Sequence, residues 1–200
     1  NVINPDDIVA KYGADSLRVY EMFMGPFEQG AAWSTESLMG SRRFLDRVFR
    51  QAAKISDQKT AKADYEKFAT LLHKTIKKVG EDINQFAFNT AISAMMILVN
   101  EMDRQETIQK GDWEMFLKIM APFAPHLAEE LWAKLGHRAS RRAGKKSVHL
   151  EPWPKVDENK IKDRMIKIII QVNGKVRDEM SVEASSGERE IKDLALKREA

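Results

Sequence analysis

From Tyr65 to Ile83 the apolar residues Tyr65, Phe68, Leu71, Leu72, Ile76, Val79 and Ile83 recur mostly at steps of three and four. That spacing gathers them on one stripe of an α-helix. Such a helix draws most of its stability from burying the stripe against other helices, so the rest of the chain must supply partners. "NPDDIVAKYG" has the marks of one: Asn4 as cap, Pro5 in the first helical position, Asp6 and Asp7 at the positive end of the dipole, and Gly13 as terminator. Asp15 is placed to cap a second, "SLRVYEMFM", and Gly25-Pro26 breaks it. Ser34 caps a third, with Leu38, Phe44, Leu45, Val48 and Phe49 expected on its buried stripe and Arg42, Arg43, Arg47 and Arg50 on other faces. "DQKTAKAD" is polar and aperiodic, a linker ahead of the Tyr65 helix. Asn89 is expected to cap the next helix, which turns Ile92, Met96, Val99 and Met102 inward, and Asp112 a further one carrying Phe116, Met120, Phe123, Leu127, Leu131 and Leu135. Pro122 and Pro125 remove backbone donors from that last helix and kink it, and Gly136 ends it. The Met-rich "AISAMMILVNEM" is core filling, since methionine fits irregular gaps.

Past Gly136 the period changes. "HRASRRAGKK" is basic and rich in small residues, a loop, and "VHLEPWP" is short, extended and limited by its prolines. Ile166, Ile168, Ile170 and Val172 then alternate with Lys167, Ile169 and Gln171, the period of a strand. Asn173-Gly174 supplies the two positive-φ positions of a type I′ turn, and Val176, Met180 and Val182 return. A helix from about Glu188 follows, with Ile191, Leu194 and Ala195 on one side. A lone hairpin is marginal in water, so this one needs the helix or strands beyond it. The fold class expected is mainly α: a helical bundle followed by a small, truncated α+β module with a β-hairpin. The division is a connecting segment over 1–33, the bundle over 34–137, a basic loop and linker over 138–164, and the start of the small module over 165–200. The chain opens at Asn1 without a methionine and stops at Ala200 inside a helical pattern, so it is expected to be a piece of something longer.

Two hundred residues, 43% hydrophobic and 32% charged, can bury a core. A net charge of +3 is too mild to identify a nucleic-acid partner, which makes clustering more informative than the total. The absence of cysteine excludes disulfides and thiolate metal sites and suits a reducing cytoplasm. No apolar run approaches the roughly 20 residues that span a bilayer. His73, His126, His137 and His149 are scattered without a metal-ligand spacing, and His126 in its apolar helix is expected to be a hydrogen-bonded structural residue. Asp6-Asp7 and Glu129-Glu130 sit where carboxylates cap helices or face water. No glycine-rich phosphate loop is present, and no catalytic residue is assigned.

The basic cluster is the stronger signal. Between Glu130 and Glu151 there is no carboxylate, while Lys134, Arg138, Arg141, Arg142, Lys145 and Lys146 supply positive charge. Charge runs are most often solvated loops. The functional reading is contact with phosphates, since Lys and Arg release condensed counterions when they neutralise a nucleic-acid backbone. Lys175 and Arg177 on the hairpin could extend the patch. With no aromatic residue in the loop to stack bases, backbone or shape readout fits best. The alternative is a helical protein-interaction module whose surface would be the Met-rich helix with Trp33 or Trp153.

Several stretches together resemble one family. "NVINPDDIVAKYGADSLRVYEMFMGP" is similar to the segment that follows the signature lysine loop of class I aminoacyl-tRNA synthetases. "HKTIKKVGEDINQFAFNTAISAMMILVNEM" and "MAPFAPHLAEELWAKLG" resemble their helical anticodon-binding domain, and are shared in weaker form with the isoleucine, valine and methionine enzymes. "PWPKVDENK" followed by "IIIQVNGKVR" is narrower and resembles the bacterial-type leucyl-tRNA synthetases. The resemblance implies a bundle that follows a Rossmann catalytic core and then the start of a C-terminal α/β domain that binds tRNA. It implies a parent reaction in which leucine is ligated to leucine tRNA with ATP and Mg. The partners implied are leucine tRNA and the upstream catalytic and editing domains of the same chain, with no membrane. The bundle and C-terminal domain would hold the tRNA body and corner, leaving the anticodon little used. Asp178 and Glu179 stand where the family more often has small or basic residues.

Overall fold

The computed structural model of the chain describes residues 3–26, 28–30, 32–57, 62–137, 147–161, 165–172, 175–183 and 186–196. They form two compact units, Asn1–Asp157 and Glu158–Ala200.

The larger unit begins as its caps dictate. The Asn4 side chain accepts the Asp6 N–H at 3.0 Å and opens α1, Pro5–Tyr12. Gly13, at φ 89°, turns the chain into α2, Ala14–Phe23. Ser34 accepts the Ser37 N–H and opens α3, Thr35–Gln51. The Ser34 N–H in turn donates to the buried Tyr20 hydroxyl, and Trp33 packs edge-on to that ring with centroids 4.9 Å apart. Next come the short strand β1, Ile55–Ser56, then α4, Lys62–Asn84, and α5, Phe88–Arg104. β2, Ile108–Gln109, lies parallel to β1 and leads into α6, Lys110–Met120, and α7, Pro125–Trp132. The core sits among α3 to α7, with Leu72, Ile76, Leu98, Trp113 and Phe116 wholly shielded from water. Each such side chain contributes about 1.5–3 kcal/mol relative to an exposed one. No described helix is long and apolar enough to cross a membrane.

Several expectations are corrected by tertiary context. The polar linker "DQKTAKAD" already contains the start of α4 at Lys62. Asn89 lies inside α5, which begins at Phe88 after Ala87. Asp112 lies inside α6, buried, where it accepts the Tyr65 hydroxyl; burial, then the charge of Asp112 and this hydrogen bond, push the Tyr65 hydroxyl up to about 12. The single kinked helix expected over 112–135 is two, because "MAPFAP" interrupts it and Pro125 starts α7 afresh. Beyond α7 the chain makes one wide turn, Ala133–His137, which Gly136 reverses at φ 88°. Phe49, expected in the core, is 46% exposed, with the Lys134 ammonium 4.2 Å above its ring.

The stretch 147–157, read as linker, packs on the larger unit. Glu129 accepts the Ser147 hydroxyl at 2.7 Å and the Val148 N–H at 3.0 Å, so that Val148–Leu150 forms a 3-10 turn where an extended segment was expected. Val148 and Pro154 are buried. Trp153 lies against Gly80 of α4, where a Cβ would come within 3.4 Å of its indole nitrogen. The Asp157 N–H donates to Nδ1 of His73.

The smaller unit contains α8, Glu158–Ile161, β3, Met165–Val172, β4, Lys175–Glu183, and α9, Glu188–Leu196. β3 and β4 are antiparallel, and Val172 pairs with Lys175 across Asn173 and Gly174, which lie outside the described residues. Met180 and Val182 are buried while Ile169, Gln171 and Glu179 are exposed, the alternation expected of a two-faced hairpin.

Candidate nucleic-acid interface

Of the predicted contact residues, Arg138, Arg141, Arg142, Lys145 and Lys146 lie outside the described residues. Lys175 opens β4. Arg177 has a more particular place. Ile170 pairs with Asp178 but Gln171 with Val176, so Arg177 is the extra residue of a β-bulge, and it is exposed. A bulge re-aims a side chain and raises local twist. Lys134, at the start of the basic cluster, is already engaged, with Glu130 at 3.6 Å and with the Phe49 ring.

The clearest basic row on a described helix is made by arginines outside that predicted set. Arg43, Arg47 and Arg50 follow i, i+4, i+7 along α3 and share a stripe. Arg47 is fixed: its Nε donates to Asp103 at 3.0 Å and its Nη2 to Asn100 at 2.6 Å, tying α3 to α5. Gln51 donates to the same carboxylate, and Lys54 Nζ to the Met102 and Asp103 carbonyls at the C-terminus of α5, where positive charge is favourable. Burial alone would raise the Asp103 carboxyl, but the hydrogen bonds from Arg47 and Gln51 and the charges of Arg47 and Lys54 outweigh it and hold the group below its ordinary value. Arg43 and Arg50 are exposed and make no ion pair with a described carboxylate. Two exposed guanidinium groups flank one locked in place, an arrangement suited to phosphate. The spacing that reveals the row is present in the sequence, but its charges are sparser than those of the stretch after Gly136.

A cavity of about 630 Å³ opens beside α1, α2, α3 and α7 and is lined by Val9, Tyr12, Arg42, Phe49, His126 and Leu127 among others. Its polar groups are committed to one another. Arg42 pairs with Asp46 at 2.9 Å and donates to the Tyr12 carbonyl. Asp15 does not cap its own helix. Its buried carboxylate accepts the Leu127 N–H at 2.7 Å and the His126 N–H at 3.4 Å, with His126 Nδ1 at 2.8 Å, and so caps α7 from across the bundle. Among the described residues no three His, Asp or Glu side chains gather where they could hold a metal ion.

The model of the anticodon-binding domain of tRNA ligase matches residues 66–192, well over half of the chain. Among solved structures, the chain is similar to LeuRS of Agrobacterium radiobacter K84 (agnB2), crystallised as a ternary complex with tRNA and LeuAMS, with a TM-score of 0.81 and 27% identity over 99% of this chain. It spans 27% of the length of that synthetase chain. It also shares the fold of the apo methionyl-tRNA synthetase of Mycobacterium tuberculosis, with a TM-score of 0.53 and 15% identity over 78% of this chain and 40% of that one. With the family model matched over more than half of its length, the chain belongs to the anticodon-binding domain family of tRNA ligases.

Proposed function

We propose that this chain is the tRNA-docking part of a cytoplasmic leucyl-tRNA synthetase, and that it binds leucine tRNA without catalysing the ligation itself. The observation that supports this reading best is the similarity over nearly the whole chain, hairpin unit included, to a synthetase crystallised with tRNA. The exposed Arg43 and Arg50 of α3 and the bulged Arg177 of β4 would meet the phosphate backbone, together with Arg138, Arg141, Arg142, Lys145, Lys146 and Lys175. Each phosphate contact adds affinity that falls with salt. The parent reaction would use ATP and Mg. In the cavity beside α1, α2, α3 and α7 the Arg42 guanidinium is already paired with Asp46, and no metal-binding cluster stands among the described residues. In this reading ATP chemistry belongs to the catalytic part of the parent, and the upstream catalytic and editing domains would be the intramolecular partners.

Docking remote from the chemistry still serves it. Binding energy spent on the tRNA body holds the acceptor end in attack geometry, which lowers the barrier of a step these residues never touch. It serves editing as well, which exists because an apolar pocket separates aliphatic side chains poorly. The alternative of a protein-interaction module has less surface to draw on, although Trp153 and Ile97 are exposed. Met95 and Met102 are buried, Met96 packs on the core, Trp33 is packed on Tyr20, and Trp153 lies over Gly80. Hydroxyl-radical footprinting of leucine tRNA on the full chain tests the proposal. Protection of the body and corner with a reactive anticodon loop is the expected result; protection confined to the anticodon loop, or none, would overturn it.

A further inference from the structure

The break between α6 and α7 is held from outside by a single helix. α6 ends at Met120, and α7 starts at Pro125 with no side-chain cap from its own neighbours. Asp15 and Arg18 stand one turn apart on α2, on the same face, and meet the two sides of the break. The buried Asp15 carboxylate accepts the His126 N–H at 3.4 Å and the Leu127 N–H at 2.7 Å, with His126 Nδ1 at 2.8 Å. Arg18 donates from Nη2 to the Pro122 carbonyl at 2.9 Å, one residue past the C-cap of α6. The signs suit the helix ends, with a carboxylate at the positive start of α7 and a guanidinium at the negative end of α6. Val19 adds α2 to the apolar core, but such packing is not directional. Hydrogen bonds weaken steeply out of line, so these two sets form together in one register of α2 only.

The clamp also crosses a boundary. α6 and α7 fall within the residues matched by the anticodon-binding model, 66–192, and α2 lies outside them. In the reading above the catalytic part precedes this chain, so the connection to it runs through α1 and α2. We propose that Asp15 and Arg18 are positioning residues of the parent reaction, which keep the RNA-docking helices in register with the segment that leads to the catalytic part. This rests on the tRNA-docking reading and deepens it. RNA held on the bundle serves the chemistry only if its acceptor end arrives in attack geometry, and a misplacement of about 1 Å costs on the order of a hundredfold in rate. A loosened clamp therefore leaves docking intact and lowers turnover, although neither side chain touches the reacting atoms.

The test uses the full-length parent synthetase and this chain, each carrying Arg18→Met, Asp15→Asn or both. Arg18→Met keeps the stem of an exposed side chain and removes the donor, so it leaves the core untouched. Asp15→Asn keeps one acceptor oxygen and sets an amide NH2 against a backbone donor. Each single variant is expected to lower kcat for charging leucine tRNA by about tenfold, with KM for the tRNA and tRNA-free, leucine-dependent pyrophosphate exchange changed by less than about twofold. The tRNA affinity of the chain and its salt slope should match those of the unaltered chain. The double variant should lose less than the product of the single losses, as two halves of one device do. Unchanged kcat in both single variants would overturn the clamp. So would an equal loss of kcat and pyrophosphate exchange, which marks general damage, or a fall in tRNA affinity, which would make Arg18 a phosphate contact. An unaltered full-length parent that does not charge leucine tRNA would remove the reading beneath it.

Discussion

Asp15 illustrates how a residue's type can be legible while its partner is not. An aspartate two residues after a glycine suggests a local cap, yet its carboxylate receives the first free N–H groups of a helix more than a hundred residues away. α7 starts at Pro125 with no side-chain cap of its own, so Asp15 supplies the acceptors that the helix lacks. Asp15→Ala is expected to cost about 1–2 kcal/mol in urea unfolding, the loss of a good cap in a buried setting. Asp15→Asn, which keeps an acceptor, should cost less. A loss of no more than a few tenths of a kcal/mol for Asp15→Ala would show that the cap contributes little. His126, bonded to the same carboxylate, is the structural histidine that its place in an apolar helix suggested.

At the scale of elements, the helices and the hairpin were legible because their periods are long and unbroken. The Tyr65–Ile83 stripe became α4, and the alternation from Ile166 became β3. What failed was set by contacts between distant parts. Lys62 became helical inside a polar stretch, and Ile55 found Ile108 in a two-residue parallel ladder that carries no pattern of its own. The strap from Ser147 was folded by Glu129, and Phe49 lies outside the core with the Lys134 ammonium over its ring. The lock between α3 and α5 is a further case, since the Arg47 spacing was visible but Asp103 as its receiver was not. Because the Asp103 carboxyl titrates lower folded than unfolded, its contribution is complete above the ordinary carboxylate value of about 3.9 and fades as pH falls through the lower folded value. The stability gap between the parent chain and Asp103→Asn is therefore expected to be constant at neutral pH and to close below about pH 4. A gap that widens on acidification in pH-dependent urea unfolding would contradict the lock.

For the whole molecule, membership of the anticodon-binding family accounts for the bundle, and Arg43, Arg50 and the bulged Arg177 are the described residues proposed to meet RNA. The candidate interface was only half legible in the sequence. Density of charge marks the stretch from Arg138 to Lys146 in the sequence, whereas the α3 row is spread over eight residues and emerges only once Arg47 is seen to be bound and Arg43 and Arg50 to be free of ion pairs among the described residues. Conversion of Arg43 and Arg50 together to Ala is expected to weaken tRNA binding and to lower the log–log salt slope by about one for each phosphate that is no longer neutralised, without altering the Tm appreciably. The most direct measurement is a fluorescence titration of labelled leucine tRNA with the full chain across low to moderate salt, its fold verified by circular dichroism in the same buffers. Saturable binding that weakens steeply with salt, with a shallower slope for the double arginine variant, is the expected result; a folded chain that leaves the tRNA signal unchanged even at the lowest salt would contradict it.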